Sequence, residues 1–188
     1  MSDPTYTVFV GERRLITAPL PDVLRALHTH GPGTNLLVFE DRSGNPVDFD
    51  LRGSVGEVLA RHLPAPTRRG PGRPKLGVTA REVTLLPRHW AWLDEQRGGA
   101  SAALRRLIDE ARKADPDRQE ADRAAGAAGR FLTALAGDRP HFEEAARALY
   151  AGQGDRFAEL TAAWPPDIRA HALHLAAPAF ARGPGGPS

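Results

Sequence analysis

Tyr6, Val8 and Val10 alternate with residues of the opposite face, and a turn at Gly11-Glu12-Arg13-Arg14 leads into Leu15-Ile16-Thr17. This period of two predicts a pair of strands. Pro21-Asp22 then opens a helix in which Val23, Leu24 and Leu27 are spaced for burial on one face. Residues 35–40 form a continuous apolar strand, Ser43-Gly44-Asn45-Pro46 turns it into a further strand at 47–51, and Ser54 caps a helix that runs to His62. The order ββαββα predicts a helix packed on a mixed or antiparallel sheet.

Residues 64–78 break the pattern, being rich in Pro and Gly and free of acid. A short β run follows at 81–86, and Pro87 stops it while suiting the first turn of a helix over 88–97. Leu86, Trp90 and Leu93 share one face of that helix. Gly98-Gly99 can take the left-handed conformation that closes it, and Ser101 is placed to cap a second helix whose Leu104, Leu107, Ile108 and Ala111 fall together. From residue 115 to residue 182 the chain is Ala-rich and helical, with three apolar faces around Phe131, Phe142 and Phe157. A last helix begins at Asp167 and carries Ile168, Ala172 and Leu175, so a small helical bundle is expected. Residues 183–188 read as a frayed tail.

The predicted fold class is therefore α+β in three parts. An α/β domain spans 1–63 and a basic linker 64–78. A strand-helix-helix unit at 79–114 precedes a helical domain at 115–182.

Charge sharpens this division. The overall balance is +2, yet residues 61–113 hold 12 basic against 5 acidic side chains, a balance of +7, and the rest of the chain carries −5. A basic middle between acidic ends implies a polyanionic partner for the middle alone. The chain has no Cys, which excludes a disulfide framework and Cys-ligated zinc and fits a cytoplasmic protein. No secretory leader and no apolar run of the roughly 18 residues of a membrane span is visible, so no membrane partner is expected.

One strand and two short helices cannot bury a core alone, and a lone strand leaves both edges unpaired. The succession of strand, Pro87, helix, Gly98-Gly99 and Ser101 resembles the ribbon-helix-helix family of bacterial DNA-binding proteins, over about residues 80–113. That resemblance implies a homodimer whose paired strands form a ribbon in the major groove. In the family the outward strand residues are polar. Here one register turns Arg81, Val83 and Leu85 outward and the other turns Glu82 and Thr84 outward, so the register stays open.

Gly72-Arg73-Pro74-Lys75 in turn resembles the core of an AT-hook, with Pro71 where the first core Arg would stand. Arg68, Arg69, Arg73 and Lys75 are then a basic arm for phosphates or the minor groove. The expected DNA-binding set is this arm with Arg81, Val83, Thr84, Leu85 and, at a helix N-terminus, Ser101. The whole chain, notably GRPKLGVTAREVTLLPRHWAWL and AGDRPHFEEAARALYAG, resembles a bacterial family of unassigned function.

The expected function is thus that of a homodimeric, nucleoid-associated or regulatory protein on double-stranded DNA. The alternative is an antitoxin-like interaction module that dimerises and binds a protein partner without DNA. Asp48 and Asp50 share a strand face, and Asp167, His171 and His174 share a helical face with metal-capable spacing. Neither set has a further ligand in the sequence, so no metal and no cofactor is expected. With no phosphate loop, nucleophile elbow or acid/base pair, no enzymatic activity is expected either.

Overall fold

The computed structural model describes residues 3–31, 35–63 and 81–182. The class is α+β: a four-stranded antiparallel sheet near the N-terminus, followed by helices. The chain divides into two units, one of residues 1–65 with 117–188 and the other of residues 66–116.

In the first unit β1 (Thr5–Val10) and β2 (Arg13–Pro19) form a hairpin, α1 (Leu20–His30) crosses over, and β3 (Leu36–Glu40) and β4 (Asn45–Val47) form a second hairpin. The sheet order is β2-β1-β3-β4 and each neighbouring pair is antiparallel. Strands β2 and β3 therefore run the same way on either side of β1, and α1 bridges them across one face. Helix α2 (Val55–His62) begins with a full capping box, the Ser54 side chain accepting from Glu57 N–H and the Glu57 carboxylate accepting from Ser54 N–H.

Strand β4 starts two residues before the expected position and ends where it was expected to begin. Gly44 N–H donates to Glu40 C=O at 2.7 Å and closes the turn, so pairing resumes at once at Asn45. Residues 48–51 then leave the ladder, with Arg61 Nη1 donating to the Asp50 carbonyl at 2.7 Å.

The two faces of the sheet bury different cores. Val8 and Val38, opposite each other in the ladder, pack against Val23 and Leu27 of α1. Phe9 and Phe39 point the other way, into α5 (Pro116–Leu135), α6 (Phe142–Tyr150), α7 (Gly154–Leu160) and α8 (Pro166–Ala181). Burial on both faces explains why β3 reads as a continuous apolar run. It also joins residues 1–63 and 115–182, expected as separate domains, through a shared core: Phe131 of α5 stands 5.4 Å from the Phe9 ring and 5.0 Å from the Phe39 ring.

Polar contacts reinforce the join. Arg14 N–H donates to Asp167 at 2.9 Å, Arg139 pairs with Glu12, and Arg130 Nε donates to the Ser43 carbonyl at 2.7 Å.

The second unit holds α3 (Pro87–Asp94) and α4 (Gly99–Ala114). Pro87 occupies the first helical turn as expected. Ser101, expected as an N-cap, is instead the third residue of α4, and Gly98 stands at the cap with φ 90°. Two glycines at positive φ turn the chain in so few residues that the helix can start at Gly99. Residues 81–86, expected as a strand, lie in neither helix nor sheet. Their ladder partner would have to be another strand, and the one sheet among the described residues lies in the other unit.

Candidate functional site

Among the described residues two places stand out, and they lie in different units.

The first is the α3–α4 unit. Six of the nine exposed large apolar residues among those described belong to it: Val83, Leu86, Trp90, Trp92, Leu107 and Ile108. Leu93 and Ala103 are buried, which leaves the second half of α4 with an apolar face in water. Ile108 is 55% exposed. Two thirds of the exposed large apolar side chains among the described residues thus fall in one short segment.

Of the sequence-predicted site residues, Arg81, Val83 and Thr84 are exposed, Leu85 is half-buried and Ser101 is exposed in the first turn of α4. Arg68, Arg69, Arg73 and Lys75 lie outside the described residues. Arg106 is engaged within the unit, donating to Gln96 at 3.3 Å and facing Glu110 at 3.8 Å.

The second place is polar and was missed by the sequence reading. Leu37 and Phe39 face the helices, and the same alternation brings Asp41 to that side just beyond β3, where Asp41 N–H donates to Thr5 C=O at 3.0 Å. His171 lies on the buried stripe of α8 with Ile168, Ala172 and Leu175. The two meet with His171 Nε2 3.5 Å from Asp41 Oδ1, their side chains 1% and 9% exposed. Phe131 and Phe9 flank the imidazole at 4.7 and 5.6 Å between ring centres. Neither oxygen of Asp41 and neither nitrogen of His171 has a hydrogen-bond partner among the described residues.

Burial lowers the His171 pKa from 6.5 to about 4; Asp41 opposes the shift, while His174 and Arg14 add to it. The imidazole is therefore neutral at pH 7. This has a sign for stability: an unfolded chain takes up the proton first, so the contribution is complete above pH 6.5 and is lost as the pH falls towards 4. The loss should approach about 3 kcal/mol. Urea unfolding at a series of pH values should show His171→Gln with a flatter acid limb than wild type; superimposable limbs would acquit His171.

The two other clusters suggested by the sequence do not assemble. His171 is buried, His174 is exposed and Asp167 is occupied by the Arg14 N–H. Asp50 is held by both Nε and Nη2 of Arg52 at 2.8 Å, which keeps its carboxyl well below the usual range, while Asp48 accepts from Phe49 N–H at 2.9 Å. Among the described residues no group of three or more His, Cys, Asp or Glu side chains is arranged to hold a metal ion, and no helix is long and apolar enough to cross a membrane.

The geometry defines an α+β protein with a two-faced sheet, a buried Asp41–His171 pair beneath it and a separate helical hairpin with exposed apolar side chains. Comparison with known families places it further: residues 5–176 match the family described as "uncharacterized protein conserved in bacteria", DUF2239, and the chain belongs to that family. No curated protein and no solved structure matches it.

Proposed function

We propose that this is a homodimeric DNA-binding protein, a transcriptional regulator or nucleoid-associated protein, in which the α3–α4 unit pairs with its copy and the basic arm of Arg68, Arg69, Arg73 and Lys75 holds phosphates. The observation that carries the reading is the exposure of Val83, Leu86, Trp90, Leu107 and Ile108 in one short unit, the first two in a segment, residues 81–86, that joins neither helix nor sheet. A second copy satisfies both needs at once. Its residues 81–86 offer the complementary strand edge, and its α4 offers a matching apolar stripe.

The charge balance of +7 over residues 61–113 supplies the counterpart of a polyanion. In the paired ribbon either Arg81, Val83 and Leu85 or Glu82 and Thr84 face the duplex, according to register. The first-turn N–H groups of α4, near Ser101, are oriented as phosphate donors.

The test is fluorescence anisotropy on a random and an A·T-rich duplex across salt, with the quadruple Arg68→Ala, Arg69→Ala, Arg73→Ala, Lys75→Ala variant alongside. Wild type is expected to bind with a steep salt slope, and the variant to lose about 0.9 of slope per phosphate contact removed, up to roughly 7 for the eight side chains of a dimer. Sedimentation of the same samples is expected to give two chains per particle. Absence of binding to either duplex at low salt would overturn the DNA reading, and a monomer would overturn the pairing.

A further inference from the structure

Glu82 is the only acidic residue from Arg61 to Leu93, a stretch that carries seven Lys and Arg side chains. It is exposed and makes no ion pair among the described residues. We propose that Glu82 reads sequence, its carboxylate accepting a hydrogen bond from the exocyclic amino group of a cytosine in the major groove, so that the protein selects DNA sites rather than coating DNA. This rests on the pairing of residues 81–86 with a second copy.

The register follows from what each choice would bury. In a paired strand residues 81, 83 and 85 share one face, and 82 and 84 the other. Turning Arg81, Val83 and Leu85 to the duplex would press Glu82 and Thr84 onto the helices of the pair, and a carboxylate buried without a partner is costly. The opposite register sends Val83 and Leu85 to the helices. Leu85 is already half-buried in the single chain, whereas Glu82 and Thr84 are exposed, as that register requires. Val83, 53% exposed, is then covered by the copy. Arg81 stands at the start of the segment, where its long side chain can carry the guanidinium out to water. Glu82 and Thr84 remain as the reading face.

The chemistry of a carboxylate selects the base. It accepts hydrogen bonds and cannot donate. In the major groove guanine and thymine present acceptors, which repel it, and adenine sets an acceptor beside its amino group. Cytosine presents the amino donor alone. The same negative charge works against every placement on phosphate, so it weakens non-specific binding and widens the gap between right and wrong sites. The Thr84 hydroxyl can donate or accept, and adds contact without choosing a base.

The test is enrichment of duplexes with a randomised core by the full chain and by Glu82→Gln, Glu82→Ala and Arg81→Ala. Wild type is expected to enrich a C·G pair at symmetric places in two half-sites, and to bind sites lacking it roughly 5- to 100-fold more weakly. Glu82→Gln should move the preference to an A·T pair, because a glutamine amide both donates and accepts, as the edge of adenine demands. Glu82→Ala should lose the preference and bind random DNA more tightly, and Arg81→Ala should keep it. The proposal is overturned if wild type binds without enriching a C·G pair, or if the enriched pair survives Glu82→Gln. Loss of the preference in Arg81→Ala would overturn it too, by showing the opposite register. These three outcomes leave the DNA reading standing, whereas absence of binding by wild type at low salt ends both.

Discussion

Gly44→Ala is expected to destabilise the protein by about 4 kcal/mol or more, enough to unfold a large share of a marginally stable chain. Gly44 sits in the β3–β4 turn with φ +68°, a conformation that costs an L-residue about 1–2 kcal/mol. The larger part is steric. A Cβ at this position would stand 2.0 Å from the carbonyl oxygen of Ala127 and 2.6 Å from its carbonyl carbon. Both atoms are backbone, so no rotamer change relieves the clash. The turn would have to lift off α5, taking with it the bonds from Arg130 to the Ser43 carbonyl and from Arg123 to the Arg42 carbonyl.

Gly126→Ala, one residue from that contact, is the control. Its Cβ would find nothing nearer than the Arg130 guanidinium at 3.5 Å, and the change should stabilise α5 by about 0.5–1 kcal/mol. Urea unfolding followed by circular dichroism measures both. An unfolding free energy for Gly44→Ala within about 1 kcal/mol of wild type would mean that the turn does not rest on α5 in solution.

Phe131→Ala should cost about 3–5 kcal/mol, the range for truncating a fully buried aromatic ring. The ring touches both layers: Phe9 and Phe39 from the sheet, and His171 from α8. The manner of unfolding is as informative as the size of the loss. One shared core predicts a single transition in which strand and helix signals fall together at lower denaturant. If residues 1–63 and 117–182 folded independently, the variant would leave one of two transitions where it was. That outcome would refute the shared core.

Most elements were legible in the chain because local chemistry specifies them. The cap at Ser54, Pro87 at a helix start and the spacing of Ile168, Ala172 and Leu175 in α8 each depend on neighbours within a few residues. Two readings came out differently, one for a local reason and one for want of a second strand. Ser101 has the chemistry of a cap, yet two glycines at positive φ let α4 start ahead of it. Residues 81–86 have strand composition, but a ladder needs a second strand, and the described chain does not bring one to them.

The Asp41–His171 pair was hidden because its members are distant in the chain. Asp41 reads as a turn residue and His171 as one of a histidine pair spaced for a metal. The signal lay in parity: Asp41 continues the face of Leu37 and Phe39, and His171 continues the stripe of Ile168 and Leu175. Parity shows that both point inward, but not that they point at each other.

By itself, the sequence determined the α+β class, the helical and extended segments, the basic middle and the family, since these follow from periodicity, capping and composition along the chain. Tertiary structure alone decided that the N-terminal sheet and the C-terminal helices share one core, because Phe9, Phe39 and Phe131 are brought together from positions up to 122 residues apart. It alone set Asp41 against His171, since burial and distance belong to the packed molecule.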